Sequence, residues 1–220
     1  MDLKSIKNNI PKELYEILEK EITNLRPSQE KSIKKGLLSG KNLLVCTPTA
    51  SGKTLIAELA AIKSIVEGRG KAVYIVPLKA LASEKYKDFK RRYSKIAKIA
   101  LSVGDVDSAD SYLAEYDFLV VTAEKLDSLI RHHTAWLSSI KAVIVDEIHL
   151  LNDTERGPTL EVLITILKQI LKNAQFIGLS ATIGNAEELA QWLNAELVVD
   201  DWRPVKLHKG IFFDGKIEFY

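Results

Sequence analysis

Cysteine is nearly missing from this chain: Cys46 stands alone among 220 residues. A single cysteine excludes an internal disulfide and a multi-cysteine zinc site, and it suits a reducing compartment. Long apolar runs are missing too. No uncharged stretch approaches the roughly 18 residues that cross a bilayer. The opening residues, Met1-Asp2-Leu3-Lys4-Ser5-Ile6-Lys7, lack the apolar core of a secretion signal. These readings place the chain in the cytoplasm and away from membranes. A strong net charge is also lacking. The balance of 31 basic and 29 acidic residues leaves +2, so no overall field marks or excludes a nucleic-acid partner. There is no internal repeat and no low-complexity linker. With 46% hydrophobic and 27% charged residues the balance is that of a globular protein, which excludes disorder. At this length one domain with a sizeable core is favoured. The lysine-heavy basic usage suits a thermophile or an AT-rich genome, and composition does not separate the two.

What the chain does have is a rhythm of short apolar runs and longer amphipathic stretches. The runs predict buried strands at Asn42–Cys46, Ala72–Val76, Ile99–Val103, Phe118–Val121, Ala142–Val145 and Phe176–Leu179. Helices are expected over Pro11–Ile22, Gln29–Leu38 with Ser28 as its cap, Leu55–Val66, Leu78–Tyr93 and Ala123–His132. A further helix opens near Pro158, with Leu160, Leu163, Ile164, Leu167, Ile170 and Leu171 on one face. Asn185 and Glu188 look like a capping box before another helix, and Trp192 reads as core. Leu197–Val199 and Val205–Phe213 look extended. Strands that are apolar throughout, alternating with helices, predict an α/β fold: a mostly parallel sheet with helices on both faces.

Thr47-Pro48-Thr49-Ala50-Ser51-Gly52-Lys53-Thr54 sits between a predicted buried strand and a long helix. This is the pattern of a phosphate-binding loop, with Thr47 where a first glycine is usual. Backbone N–H groups from Thr49 to Thr54, Ala50 and Ser51 included, can wrap an anion at a helix N-terminus. Gly52 allows close approach, Lys53 reaches the β- and γ-phosphates, and the Thr54 hydroxyl can ligate Mg²⁺. A bare Gly-Lys-Thr is a common surface turn; its place between strand and helix carries the functional reading.

Asp146-Glu147-Ile148-His149 follows an apolar strand. Two carboxylates at a buried strand end are costly unless used or paired. Asp146 suits a second Mg²⁺ contact through water, and Glu147 suits the base that orients and deprotonates an attacking water. His149 has no metal-ligand partner at helical or hairpin spacing.

With these two motifs the chain resembles the first motor domain, a RecA-like P-loop NTPase fold, of a superfamily 2 helicase of the DExH-box kind. Further stretches fall in that family's order. Leu25-Arg26-Pro27-Ser28-Gln29 resembles the adenine-reading Q motif. Pro77-Leu78-Lys79-Ala80-Leu81-Ala82 and Thr122-Ala123-Glu124-Lys125 resemble motifs Ia and Ib, and Ser180-Ala181-Thr182 resembles motif III. Asp153, Arg156-Gly157, Glu161 and Arg203-Pro204-Val205 look like the ski-two-like branch, and within it the archaeal DNA-repair helicases. The resemblance spans residues 10 to 215.

It implies that Arg26 and Gln29 serve the adenine side of ATP, and that Lys53, Thr54, Asp146 and Glu147 act as argued. It implies that Pro77, Lys79, Ala80, Thr122, Glu124 and Lys125 follow one nucleic-acid strand, and that His149, Ser180 and Thr182 couple hydrolysis to motion. Arg156 and Gly157 would support the strand-contacting surface. The chain departs from the family at Ala50, where glycine is common, and at Lys79, where arginine is frequent and can make two contacts to a phosphate. Arg91-Arg92 and His132-His133 read as solvated helix ends, and Cys46 as a small buried apolar residue.

Residues 1–200 are expected to form the ATP-binding domain and 201–220 to start the connection to a second motor domain, with its arginine finger, that the chain lacks. The expected partners are that domain and single-stranded or forked nucleic acid, DNA favoured, with 3′ to 5′ movement implied by the family. An RNA helicase of the same branch and a non-catalytic binding module on the same fold remain the alternatives. A GTPase base-reading Asn-Lys-x-Asp and a transporter Ser-Gly-Gly-Gln are both missing. Weak ATP binding and negligible unwinding are expected of the chain alone.

Overall fold

The computed structural model describes residues 1–104, 110–206 and 208–219. Seven strands form the central sheet: Leu43–Cys46 (β1), Lys71–Val76 (β2), Ile99–Ser102 (β3), Phe118–Thr122 (β4), Ile140–Val145 (β5), Gln175–Ser180 (β6) and Glu196–Val199 (β7). All neighbours pair in parallel, in the order β3-β4-β2-β5-β6-β1-β7. Among the described residues seven α-helices accompany them: Lys12–Leu18 (α1), Pro27–Lys34 (α2), Lys53–Val66 (α3), Lys79–Tyr93 (α4), Ala123–Arg131 (α5), Gly157–Ile170 (α6) and Ala186–Leu193 (α7).

Strands β1 to β6 are mainly apolar because both of their faces are covered, whereas the edge strand β7 is largely exposed. Leu43, Val45, Ala72, Tyr74, Val76, Phe118, Val120, Ala142 and Ile144 turn to the core shared with α1, α3 and α4. Their sequence neighbours Leu44, Cys46, Val73, Ile75, Leu119, Val121, Val143 and Val145 turn to the core shared with α5, α6 and α7. This is the expected α/β architecture. Tyr74, Phe89 and Phe118 form an aromatic cluster, with Tyr74 edge-on to Phe89 at 5.1 Å and Phe89 stacked on Phe118 at 5.0 Å.

Several boundaries differ from expectation, each for a local reason. Helix α1 ends at Leu18, not Ile22, because the following chain returns to the N-terminus, where Leu3 donates to Thr23 and Leu25 to Met1. Helix α2 starts at Pro27 with Arg26 as its cap, so Ser28 lies inside it. It stops at Lys34, ahead of Gly36 in the left-handed region (φ 101°). Helix α3 already begins at Lys53, since its first turn is the end of the phosphate loop. Asn185 precedes α7 but makes no capping bond with its side chain. Trp192 is half-buried and lies under the Lys168 ammonium, 5.1 Å from its ring centre. Of the segment expected to be extended from Val205 to Phe213, only Gly210–Phe213 (β8) is a strand. It pairs with Lys216–Phe219 (β9) in an exposed antiparallel hairpin, and Leu207 lies outside the described residues. No helix among the described residues is long and apolar enough to cross a membrane.

Candidate functional site

Parallel strands deliver their loops to one edge of the sheet, and the loops after β1, β2, β5 and β6 carry the motif residues. After Cys46 the chain turns through the phosphate loop into α3, so the loop lies against the N-terminus of a 14-residue helix. Two loop residues are left-handed, Ala50 at φ 64° and Gly52 at φ 94°. At Gly52 a β-carbon would stand 2.5 Å from Gln29 Nε2 and 3.0 Å from Arg26 Cδ, so only glycine fits.

Helix α2 holds the loop from outside. Arg26 Nη1 donates to the Ala50 carbonyl at 2.5 Å, and Gln29 Nε2 to the Gly52 carbonyl at 3.0 Å. Gln29 Oε1 accepts from the Arg26 N–H at 2.8 Å, which leaves two of the four hydrogen-bonding positions of this amide. Within the loop the Thr47 and Ser51 hydroxyls meet at 2.7 Å. The Lys53 ammonium folds back onto the Thr47 carbonyl at 2.7 Å and reaches Pro48 at 3.4 Å. Burial lowers its pKa from the ordinary lysine value, while Glu147 and Asp146 favour its charged form.

The two acids are placed by their neighbours. Tyr74 donates its hydroxyl to Asp146 Oδ2 at 2.7 Å, and the Glu147 N–H donates to Asp146 Oδ1 at 3.0 Å. Burial, and then the Asp146 charge, push the Tyr74 phenol far above its usual range, so it stays a donor. Glu147 is left-handed (φ 52°), which turns its side chain out at the strand end. A cleft of about 390 Å³ gathers Arg26, Thr49, Ala50, Gly52, Lys53, Thr54, Asp146 and Glu147, with Pro204 and Lys85 completing its wall.

His149 bridges two motifs. Its Nδ1 lies 3.5 Å from the Ala181 N–H and 3.4 Å from Glu147 Oε2. The first contact needs Nδ1 bare and the second needs it protonated, so His149 serves one or the other at a time. Ser180 is fully buried, and its hydroxyl has no partner among the described residues; Thr182 is exposed.

The residues expected to follow a nucleic-acid strand separate into two groups. Lys79 and Ala80 are exposed on the first turn of α4, and Glu124 on that of α5. Pro77, Glu124 and Arg156 adjoin one crevice with Asp146 and Glu147. Thr122 is buried, and its hydroxyl caps α5 by accepting from the Lys125 N–H at 3.4 Å. Lys125 does not offer its charge to a strand: the side chain is 3% exposed and pairs with Asp110 at 2.9 Å. Gly157 has a packing role, since a β-carbon there would stand 2.3 Å from the Leu151 carbonyl. Arg92 is likewise not solvated. It pairs with buried Glu58, which also accepts from Tyr93 at 2.6 Å, and with Glu21 at 3.1 Å. Arg91 and the two histidines at the end of α5 are exposed as expected, and Cys46 is buried.

Tyr74 and Lys85 are the site residues that motif reading misses; one is an aromatic inside an apolar strand and the other a lysine in a lysine-rich helix. A further cleft, about 990 Å³, opens at the opposite edge of the sheet, away from both carboxylates. Lys63 and Lys172, in its wall, stand where α3 and α6 end, and so complement the negative ends of those helices.

Comparison with known proteins bears on this arrangement. A family model described as DEAD/DEAH box helicase matches residues 26–189. The chain is 54% identical over 208 residues to an ATP-dependent DNA helicase Hel308 of Pyrococcus abyssi, covering 94% of this chain and 29% of the relative. It is 56% identical over 205 residues to the Hel308 helicase of Methanocaldococcus jannaschii, covering 90% and 17%. Among solved structures it resembles helicase MrfA bound to DNA and AMPPNP, at a TM-score of 0.76 and 27% identity, over 88% of this chain and 29% of that one. The chain thus spans under a third of these proteins.

Proposed function

The chain belongs to the DEAD/DEAH box helicase family, and on that footing we propose that it is the ATP-binding motor lobe of an ATP-dependent DNA helicase moving 3′ to 5′. In this reading residues 1–200 are the lobe, and 201–220 begin the connection to a second motor domain. The observation that carries it is the convergence of the phosphate loop, Asp146 and Glu147 on one cleft, with Ala181 of the Ser180-Ala181-Thr182 stretch 3.5 Å from His149 behind it. The DNA named for the helicase relatives supports the substrate.

The proposed chemistry follows from placement. Backbone N–H groups from Thr49 to Thr54 receive the β- and γ-phosphates, and Lys53 exchanges its two carbonyl partners for phosphate oxygens. Arg26 and Gln29 stand at the adenine side. Thr54 and Asp146 are hard oxygen donors of the kind Mg²⁺ takes alongside substrate phosphates, so the residues present fit that ion. Once bound, the ion would offset charge on the phosphate oxygens. Glu147 takes the proton of the attacking water. His149 can then leave Glu147 for Ala181, or the reverse, which would carry the state of the base to β6 and to Ser180 and Thr182. Lys79, Ala80, Pro77 and Glu124 present the strand-contacting surface, Thr122 and Lys125 hold α5 under it, and Arg156 flanks it.

The test is ATP hydrolysis, with and without single-stranded DNA, by a longer chain that includes the second lobe. DNA stimulation that disappears in Glu147→Gln, while ATP is still bound, is the expected result. Stimulation by RNA alone would assign the lobe to an RNA helicase. No stimulation by either would favour a binding module.

A further inference from the structure

Helix α4 begins at the exposed turn of Lys79 and Ala80 and sends Lys85 into the nucleotide cleft. There the Lys85 ammonium donates to Thr54 Oγ1 at 3.1 Å. Half-buried, it takes part in none of the ion pairs found among the described residues, although Arg92 on the same helix pairs with Glu21 and Glu58. The ammonium touches a neutral hydroxyl, while the Glu58 carboxylate, whose pKa it helps to lower, lies beyond ion-pair distance. Asp146 and Glu147 line the same cleft. The hydroxyl it holds is also the one suited to Mg²⁺, and a divalent cation and an ammonium on one oxygen repel each other.

We propose that Lys85 is a stand-in cation of the nucleotide site. It holds Thr54 while no Mg²⁺ is bound. When nucleotide enters without Mg²⁺, its ammonium meets the triphosphate charge that the metal would otherwise offset. When Mg²⁺ takes Thr54, Lys85 gives up that oxygen. Because Lys85 shares α4 with Lys79, the exchange of cations at Thr54 is felt on the helix that carries the strand-contacting turn. This inference rests on the nucleotide reading above and adds a residue to that site.

The test is equilibrium binding of a fluorescent ATP analogue to the chain, titrated once with excess EDTA and once with saturating Mg²⁺. Lys85→Met is expected to weaken metal-free binding about tenfold while leaving Mg²⁺-supported binding near its original value. The Mg²⁺ concentration needed for half-maximal binding is expected to fall several-fold, because the competitor for Thr54 is gone. Lys85→Arg keeps a cation and is expected to restore most of the metal-free binding. Equal weakening in both titrations would make Lys85 an ordinary phosphate or structural contact and overturn the proposal, as would no change in either. If the unsubstituted chain binds no nucleotide even with Mg²⁺, or Lys53→Ala does not weaken binding, the nucleotide reading itself fails. Circular dichroism of each variant shows whether it has folded.

Discussion

Tyr74 lies in the middle of β2, fully buried against Phe89 and Phe118, and ends in the 2.7 Å bond to Asp146. The apolar ring fixes the phenol, and the phenol fixes one oxygen of the carboxylate, leaving the other to the Glu147 N–H. Tyr74→Phe keeps the ring and deletes only the donor. Loss of such an outer-shell partner typically costs 10–100-fold in metal affinity or activity. The expected outcome is therefore roughly a tenfold rise in the Mg²⁺ needed for hydrolysis by a longer chain that includes the proposed second lobe, with the melting temperature of the 220-residue chain changed little; a Mg²⁺ titration beside a thermal melt checks both. Residues whose role lies in the backbone around them, such as Lys53 and Glu147, are legible in the sequence because spacing alone places them after a strand. Lys125 and Arg92 are not. Their partners Asp110, Glu58 and Glu21 lie 15 or more positions away, and nothing in the local pattern says that those charges will meet.

At the scale of elements, the site depends on helices that clamp loops. Helix α2 holds the phosphate loop through Arg26 and Gln29, and α4 holds α3 through Arg92 and Tyr93 at Glu58. Burial is the largest influence on Glu58 and raises its pKa, and Arg92 and Tyr93 oppose that rise. Arg92→Met would leave this acid without its paired countercharge, with only the weaker influence of Lys85 remaining. Removing one partner of a buried pair costs about 3–5 kcal/mol, which for a domain of this size lowers the melting temperature by on the order of 10 °C. The destabilisation should shrink in acid, where Glu58 can take up a proton; melting curves at pH 5 and pH 8 give the comparison. Glu30 on α2 behaves oppositely. Hydrogen bonds from Lys34 and then the N-terminal ammonium lower its pKa to about 2. Its contribution is present above pH 4.5 and is lost as pH falls through 2, so Glu30→Gln should flatten the acid limb of the stability curve in that window. The existence of α2 to α6 and of the seven sheet strands is legible from apolar periodicity, whereas β9 is not. Their ends are not, because α1 stops and α3 starts where distant contacts, or the loop itself, impose it.

For the whole molecule, the alternation of apolar runs and helices announces a parallel sheet, but not the order β3-β4-β2-β5-β6-β1-β7, which depends on crossovers between strands far apart in the chain. That order matters, since it sets β6 between β5 and β1 and so brings Glu147, Ala181 and Lys53 to one place. The resulting cleft is open to solvent. Thr49 and Ala50 are exposed, and Glu147 is 38% exposed, so a water poised for attack would exchange with solvent. The hairpin β8–β9 leaves Phe212 and Phe213 71% and 80% exposed, apolar surface that this lobe does not cover. The small net charge also fits a lobe that holds its track by local contacts at Lys79 and its neighbours rather than by a general field. The 220-residue chain alone is therefore expected to bind ATP weakly, to hydrolyse it slowly with little response to DNA, and to separate no strands. A longer chain that supplies the facing wall with an arginine finger should gain on the order of 10³–10⁵ in hydrolysis rate. Side-by-side assays of hydrolysis and of fluorescent duplex opening decide the matter: strand separation by the 220 residues alone would mean that the lobe is a sufficient motor and that the second wall adds only rate.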